Sequence, residues 1–86
     1  MDGLILANII QKTFIQAHHV VISDEVGCIK VYYRFKRYGN LYEIEFHNTQ
    51  DIQTNEQVCE LLDTIWNNMM YHMKEEKYLL NILMLE

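Results

Sequence analysis

"KVYYRFKRYGNLYEIEFH", residues 30–47, sets a basic, aromatic run against an acidic one across Gly39-Asn40. Glycine at the first central position suits a two-residue type II′ turn, which makes the stretch a hairpin of defined register. Phe35 then opposes Ile44 and Tyr33 opposes Phe46 on one face. On the other face Lys36 opposes Glu43 and Arg34 opposes Glu45, pairs worth a few tenths to about 1 kcal/mol each. Lys30, Tyr32, Arg37 and Tyr38 have no acidic opposite in this register. The charged face therefore has two readings: ion pairs that specify register, or a surface presented to a partner.

Upstream, "HHVVIS" and the turn-like "DEVG" supply a first strand and loop. Counting back through that loop sets Ile22 beside Ile29 and Val20 beside Val31, so both hairpins share one apolar face. Residues 3–16 read as a helix with a stripe of Leu4, Ile5, Ile9, Ile10 and Phe14, widened by Leu6 and Ile15, and with Asp2 as its cap. Downstream, "TNEQ" is a capping box in which Thr54 caps and Gln57 reaches back. Val58, Leu61, Leu62, Ile65, Met69 and Met73 then recur at helical spacing. "KEEK" at 74–77 interrupts the pattern, and "YLLNILMLE" reads as a second short helix or as the same helix continued. The expected architecture is one α+β domain over residues 1–86: helix, three-stranded antiparallel meander, long helix and short C-terminal helix (α-β-β-β-α-α). Helices should cover Val20, Ile22, Ile29, Val31, Tyr33, Phe35, Ile44 and Phe46.

The chain has 86 residues, a net charge of −5 and two cysteines, and half of it is hydrophobic. So short a chain has little room for a core, and so apolar a one argues against disorder. Excess acid disfavours general binding to nucleic acid. No signal peptide and no membrane span is expected, and two cysteines make no disulfide framework. A reducing cytoplasmic setting follows, with Cys28 and Cys59 as thiols.

Sites of chemistry are sparse. In the proposed register His19, Tyr32 and His47 lie side by side on the outer face. That puts the imidazoles roughly 9.5 Å apart, too far to share a zinc held at about 2.0–2.1 Å. Cys59 sits among Glu56, Glu60 and Asp63, which disfavour a thiolate, and nothing obvious activates Cys28. The sequence offers no phosphate loop and no catalytic order of Ser, His and Asp, so neither an enzyme, a metal nor a cofactor is expected. The element order matches the double-stranded RNA-binding domain, but "TQDIQTNEQ" lacks the lysines that family places there. Nucleic-acid binding is left with one sheet-face patch: Lys30, Tyr32, Arg34, Lys36, Arg37 and Tyr38.

In length, in "YGNLYEIEF" as the final hairpin and in "EQVCELLDTIWNNMM" as the helix after it, the chain resembles small acidic anti-CRISPR proteins. These are inhibitors of type II guided nucleases, made by bacteriophages of low-GC Gram-positive hosts. The resemblance implies a protein inhibitor that imitates DNA with carboxylates. It places Gly39 at the turn, Glu43 on the returning strand, and Glu75 and Glu76 in a late acidic cluster, with Lys74 and Lys77 as departures. Candidate partner-binding residues are these four, the basic patch and Glu45. A protein partner is expected, with a structural, oligomerising protein as the alternative. The sheet can cover one stripe of the long helix, which leaves Trp66, Met70, Tyr71, Leu79, Leu80 and Leu83 for a homodimer contact. Alternatively, the tail folds back across the first helix.

Overall fold

Helix α1 (Gly3–Thr13) starts where the Asp2 carboxylate accepts the Leu4 amide at 2.8 Å, the cap expected from sequence. The computed structural model describes residues 1–14, 17–22, 26–35 and 37–85, with the backbone alone for 17, 18 and 78–85. After α1 come β1 (Ala17–Ile22), β2 (Ile29–Tyr33), β3 (Tyr42–Phe46), a 3₁₀ turn (Thr49–Asp51) and α2 (Asn55–Leu85). The three strands form one antiparallel sheet in the order β1-β2-β3.

The α1 stripe is rotated from the one read in sequence. Leu6 and Ile10 are buried and Phe14 follows them one turn on, while Leu4 and Ile5 point outward. The expected helix over 3–16 stops at Thr13, and Phe14 is already extended. Leu6, Ile10 and Phe14 are spaced i, i+4, i+8, so one narrow face serves the core.

The β1–β2 register is the expected one, with Val20 opposite Val31 and Ile22 opposite Ile29, and with an irregularity between Ala17 and His19. The β2–β3 register is not. Ile29 pairs with Phe46, Val31 with Ile44 and Tyr33 with Tyr42, a slide of four residues. Residues 34–41 become a connection of eight in place of a two-residue turn. An even slide keeps every side chain on its face and changes every cross-strand partner. The reason is packing. In the expected register Ile44 and Phe46 would lie across from Phe35 and Tyr33, leaving Ile29 and Val31 flanked by β1 alone. The observed pairing places apolar residues from β1, β2 and β3 in one row, which widens the surface the helices cover. The local turn signal loses to that core.

Leu6, Ile10, Phe14, Ile29, Val31, Tyr33, Val58, Leu61, Ile65 and Met69 form one buried cluster, so both helices lie on the same sheet face. Val20, Phe35, Ile44 and Phe46 border it as expected. Ile22 does not: at the end of an edge strand it is 45% exposed. With Leu4 and Val26 it lines an open hollow of about 350 Å³ beside the β1–β2 loop.

At the start of α2 the capping box forms in both directions. The Gln57 amide donates to Thr54 Oγ1 at 3.2 Å, and the Thr54 amide donates to Gln57 Oε1 at 3.0 Å. The backbone then runs as one helix through Lys74–Lys77 to Leu85, so of the two readings of "YLLNILMLE" the continued helix replaces the separate short one. Thirty-one residues at about 1.5 Å each span roughly 46 Å, against roughly 17–20 Å for a short strand. This helix accounts for the longest dimension of the molecule, 50 Å against 25 and 19 Å. Among the described residues no helix is long and apolar enough to cross a membrane.

Candidate functional site

Two surfaces hold the residues that the sequence singles out: the outer face of the sheet with its β2–β3 connection, and the solvent side of α2. On the sheet, Lys30 stands directly opposite Glu45, and its Nζ lies 3.8 Å from Glu43 Oε1. The Glu45 carboxylate, then Tyr32 and Glu43, hold the Lys30 ammonium above its ordinary pKa. Tyr32 faces Glu43 and stacks on His19 with ring centroids 6.5 Å apart. Lys30 and Tyr32, the two strand residues expected to lack acidic neighbours, are therefore the ones that have them. The charges of β2 and β3 face each other.

Arg34 leaves the sheet. Its Nη1 donates to the Arg37 carbonyl at 3.2 Å, so the expected Arg34–Glu45 cross-strand pair does not form. The Arg37 guanidinium lies 5.5 Å from the centre of the Tyr38 ring, and Tyr38 is 90% exposed. Gly39 is half-buried in the same connection. The basic patch is thus split: Lys30 and Tyr32 stay on the strand, while Arg34, Arg37 and Tyr38 form a loop. Lys36, expected opposite Glu43, lies outside the described residues, and Tyr32 takes that place. His47 is likewise displaced from the flank of Tyr32. It follows β3 beside Glu45, with its Nε2 3.5 Å from Glu45 Oε1. Cys28 Sγ donates to the same oxygen at 3.3 Å. Cys28, Glu45 and His47 are the described residues whose ligand atoms come close enough to hold a metal ion together.

Where β2 ends, a partly buried aromatic junction centred on buried Tyr33 fastens α2 to the sheet. The Tyr33 hydroxyl and His72 Nδ1 share a short hydrogen bond, and the His72 ring lies flat on Tyr42 at 4.0 Å and 8°. Tyr42 donates to Glu76 Oε1 at 3.0 Å. Burial pushes the Tyr33 hydroxyl up to about 12, with the Tyr42 phenol as the second cause. Tyr42 is raised as well, first by burial and then, against the Asn40 hydrogen bond, by its bond to Glu76.

His72 is the residue that reading by hydrophobicity missed. Met69 is followed on the core stripe by His72 and Glu76, three and seven residues on, whereas Met73 is 43% exposed. Helical phase carries the signal, since positions 58, 61, 65, 69, 72 and 76 share one face. Of the acidic pair expected to be free for a partner, Glu75 is exposed and Glu76 is engaged by Tyr42.

The flank of α2 next to the core stripe carries Trp66, 50% exposed, partly buried Met70 and Met73. Their i, i+4, i+7 spacing makes them one ridge. Tyr71, also exposed, belongs to the opposite flank. The side chains of Leu79, Leu80 and Leu83 lie outside the described residues. No protein-family model, curated protein or solved structure compared with this chain matches it.

Proposed function

We propose that the chain is a non-enzymatic protein-binding module that pairs α2 with a second helix, in the first instance that of another copy of itself. The observation that carries this reading is the Trp66–Met70–Met73 ridge, on a helix whose neighbouring face already belongs to the core. Large aromatic and methionine side chains on an open helix flank suit an adaptable helix contact. The backbone of α2 also continues nine residues past Glu76, the position that Tyr42 holds to the sheet. A two-fold contact would cover the same ridge on both chains. Light scattering coupled to size-exclusion chromatography at micromolar concentration tests this. A dimer mass that reverts to monomer in Trp66→Glu/Met73→Glu is expected, and a monomeric parent chain overturns self-association.

The resemblance to anti-CRISPR proteins supplies a heterotypic form of the same reading, a guided nuclease as partner. Support comes from the net charge of −5 and the exposed Glu75. A lane of carboxylates imitating DNA finds less support, because Lys30 stands between Glu43 and Glu45 and Glu76 is engaged by Tyr42. Stoichiometric inhibition of target cleavage by a type II nuclease is the test, and unchanged cleavage at molar excess removes that partner. Among the described residues, Lys30 in an ion pair and Arg34 turned onto the loop also leave little continuous basic surface for nucleic acid.

A further inference from the structure

The geometry points to a transition-metal site at the open end of the β2–β3 hairpin, formed by Cys28, Glu45 and His47 and suited to a divalent ion of the zinc type. Ile29 pairs with Phe46 at this end of the ladder. The residues just outside that pair, Cys28 and His47, therefore fall across from each other, with Glu45 two residues before His47 on the same face. The four-residue slide creates this grouping, since the turn-centred register would send His47 to Tyr32.

The distances fit. Zinc takes sulfur at about 2.3 Å, imidazole nitrogen at about 2.0–2.1 Å and carboxylate oxygen at about 2.0–2.2 Å, so the edges of a tetrahedron run roughly 3.4–3.6 Å. The sulfur–oxygen edge here is 3.3 Å and the nitrogen–oxygen edge 3.5 Å. All three ligand atoms lie within 4.8 Å of one another. Closing the remaining edge takes a turn of the half-exposed His47 side chain.

The donor set is selective. One thiolate, one imidazole and one carboxylate favour zinc, cobalt or a related ion over magnesium and calcium, which take all-oxygen shells. Cys28 is 1% exposed whereas Glu45 and His47 reach solvent, so the ion would rest on a buried sulfur with its fourth position open to water or a partner's ligand. Without metal, the Cys28–Glu45 hydrogen bond and the Glu45–His47 contact hold the same atoms together. Lys30 also stands opposite Glu45, but Glu43 at 3.8 Å offers it another carboxylate. Cys59, exposed on α2, is the internal control.

Titration of the full chain with Co²⁺, followed by absorbance, tests the site. Expected are one cobalt per chain, a thiolate-to-cobalt charge-transfer band in the near ultraviolet, and its displacement by Zn²⁺. Cys28→Ser should abolish the band and Cys59→Ser should leave it. His47→Gln alters a side chain at the surface and should keep the fold, checked by circular dichroism. It should weaken binding by more than the roughly 10–100-fold that loss of a mere supporting residue brings. No band with cobalt in excess overturns the proposal. So does a band that survives Cys28→Ser, one that disappears with Cys59→Ser, or an affinity that His47→Gln leaves unchanged.

Discussion

The two hairpins of the sheet share β2 yet obey different rules. In β1–β2 the loop signal and the apolar pattern agree, and Val20–Val31 and Ile22–Ile29 pair as the sequence alone predicts. In β2–β3 the Gly39-Asn40 turn signal asks for one register and the core for another, and the core prevails. Burying a large apolar side chain is worth roughly 1.5–3 kcal/mol, against a few tenths to about 1 kcal/mol for a cross-strand charge pair. Because the slide is even, the faces survive and the polar neighbourhoods do not. Lys30 gains Glu45, Arg34 loses it, and Glu45 and His47 together come to Cys28.

The largest expected effect comes from Tyr33, where the second hairpin meets α2. A phenol whose folded pKa is raised from 10 to about 12 gives stability that is fully present below pH 10 and lost as pH rises towards 12. The shift corresponds to roughly 2–3 kcal/mol. Chemical denaturation across this range should show that loss, and Tyr33→Phe should flatten it. Tyr42→Phe should bring the Tyr33 titration partway back, because burial remains the larger cause. An unmoved titration would argue against the Tyr33–Tyr42 pairing.

A smaller effect belongs to the first hairpin. Gly27 closes its loop with φ 73°, and its carbonyl accepts the Thr49 amide at 2.9 Å. A β-carbon there would also meet the exposed Gln50 side chain, which can move aside. Gly27→Ala should therefore destabilise by about 1–2 kcal/mol, the penalty of left-handed backbone for an alanine. Urea denaturation measures it, and a neutral substitution would mean the loop adopts another conformation.

The smallest effect separates the registers through charge. Lys30→Glu and Glu45→Lys should each destabilise, and the double reversal should recover a few tenths to about 1 kcal/mol. Arg34→Glu with Glu45→Lys should show no such recovery. Coupling in the second pair and none in the first would restore the turn-centred register.

What the sequence discloses follows the range of the interactions concerned. The Asp2 cap and the Thr54–Gln57 box involve residues two or three apart, and both are legible. Face assignment in the strands is legible too, since alternation survives an even slide. The phase of α1 is not: Leu4 and Ile5 are as apolar as Leu6, and the facing sheet and helix decide which of them is buried. His72 hides because a polar residue joins an apolar stripe only when Tyr33 is there to meet it. The Cys28–Glu45–His47 grouping depends wholly on the register that the turn signal misassigns.

Cross-strand nuclear Overhauser contacts between backbone protons of β2 and β3 test that register most directly. Contacts are expected within the pairs Val31–Ile44, Tyr33–Tyr42 and Lys30–Glu45. Contacts joining Tyr33 to Phe46 and Phe35 to Ile44 would contradict it, and would dissolve the Cys28–Glu45–His47 grouping as well.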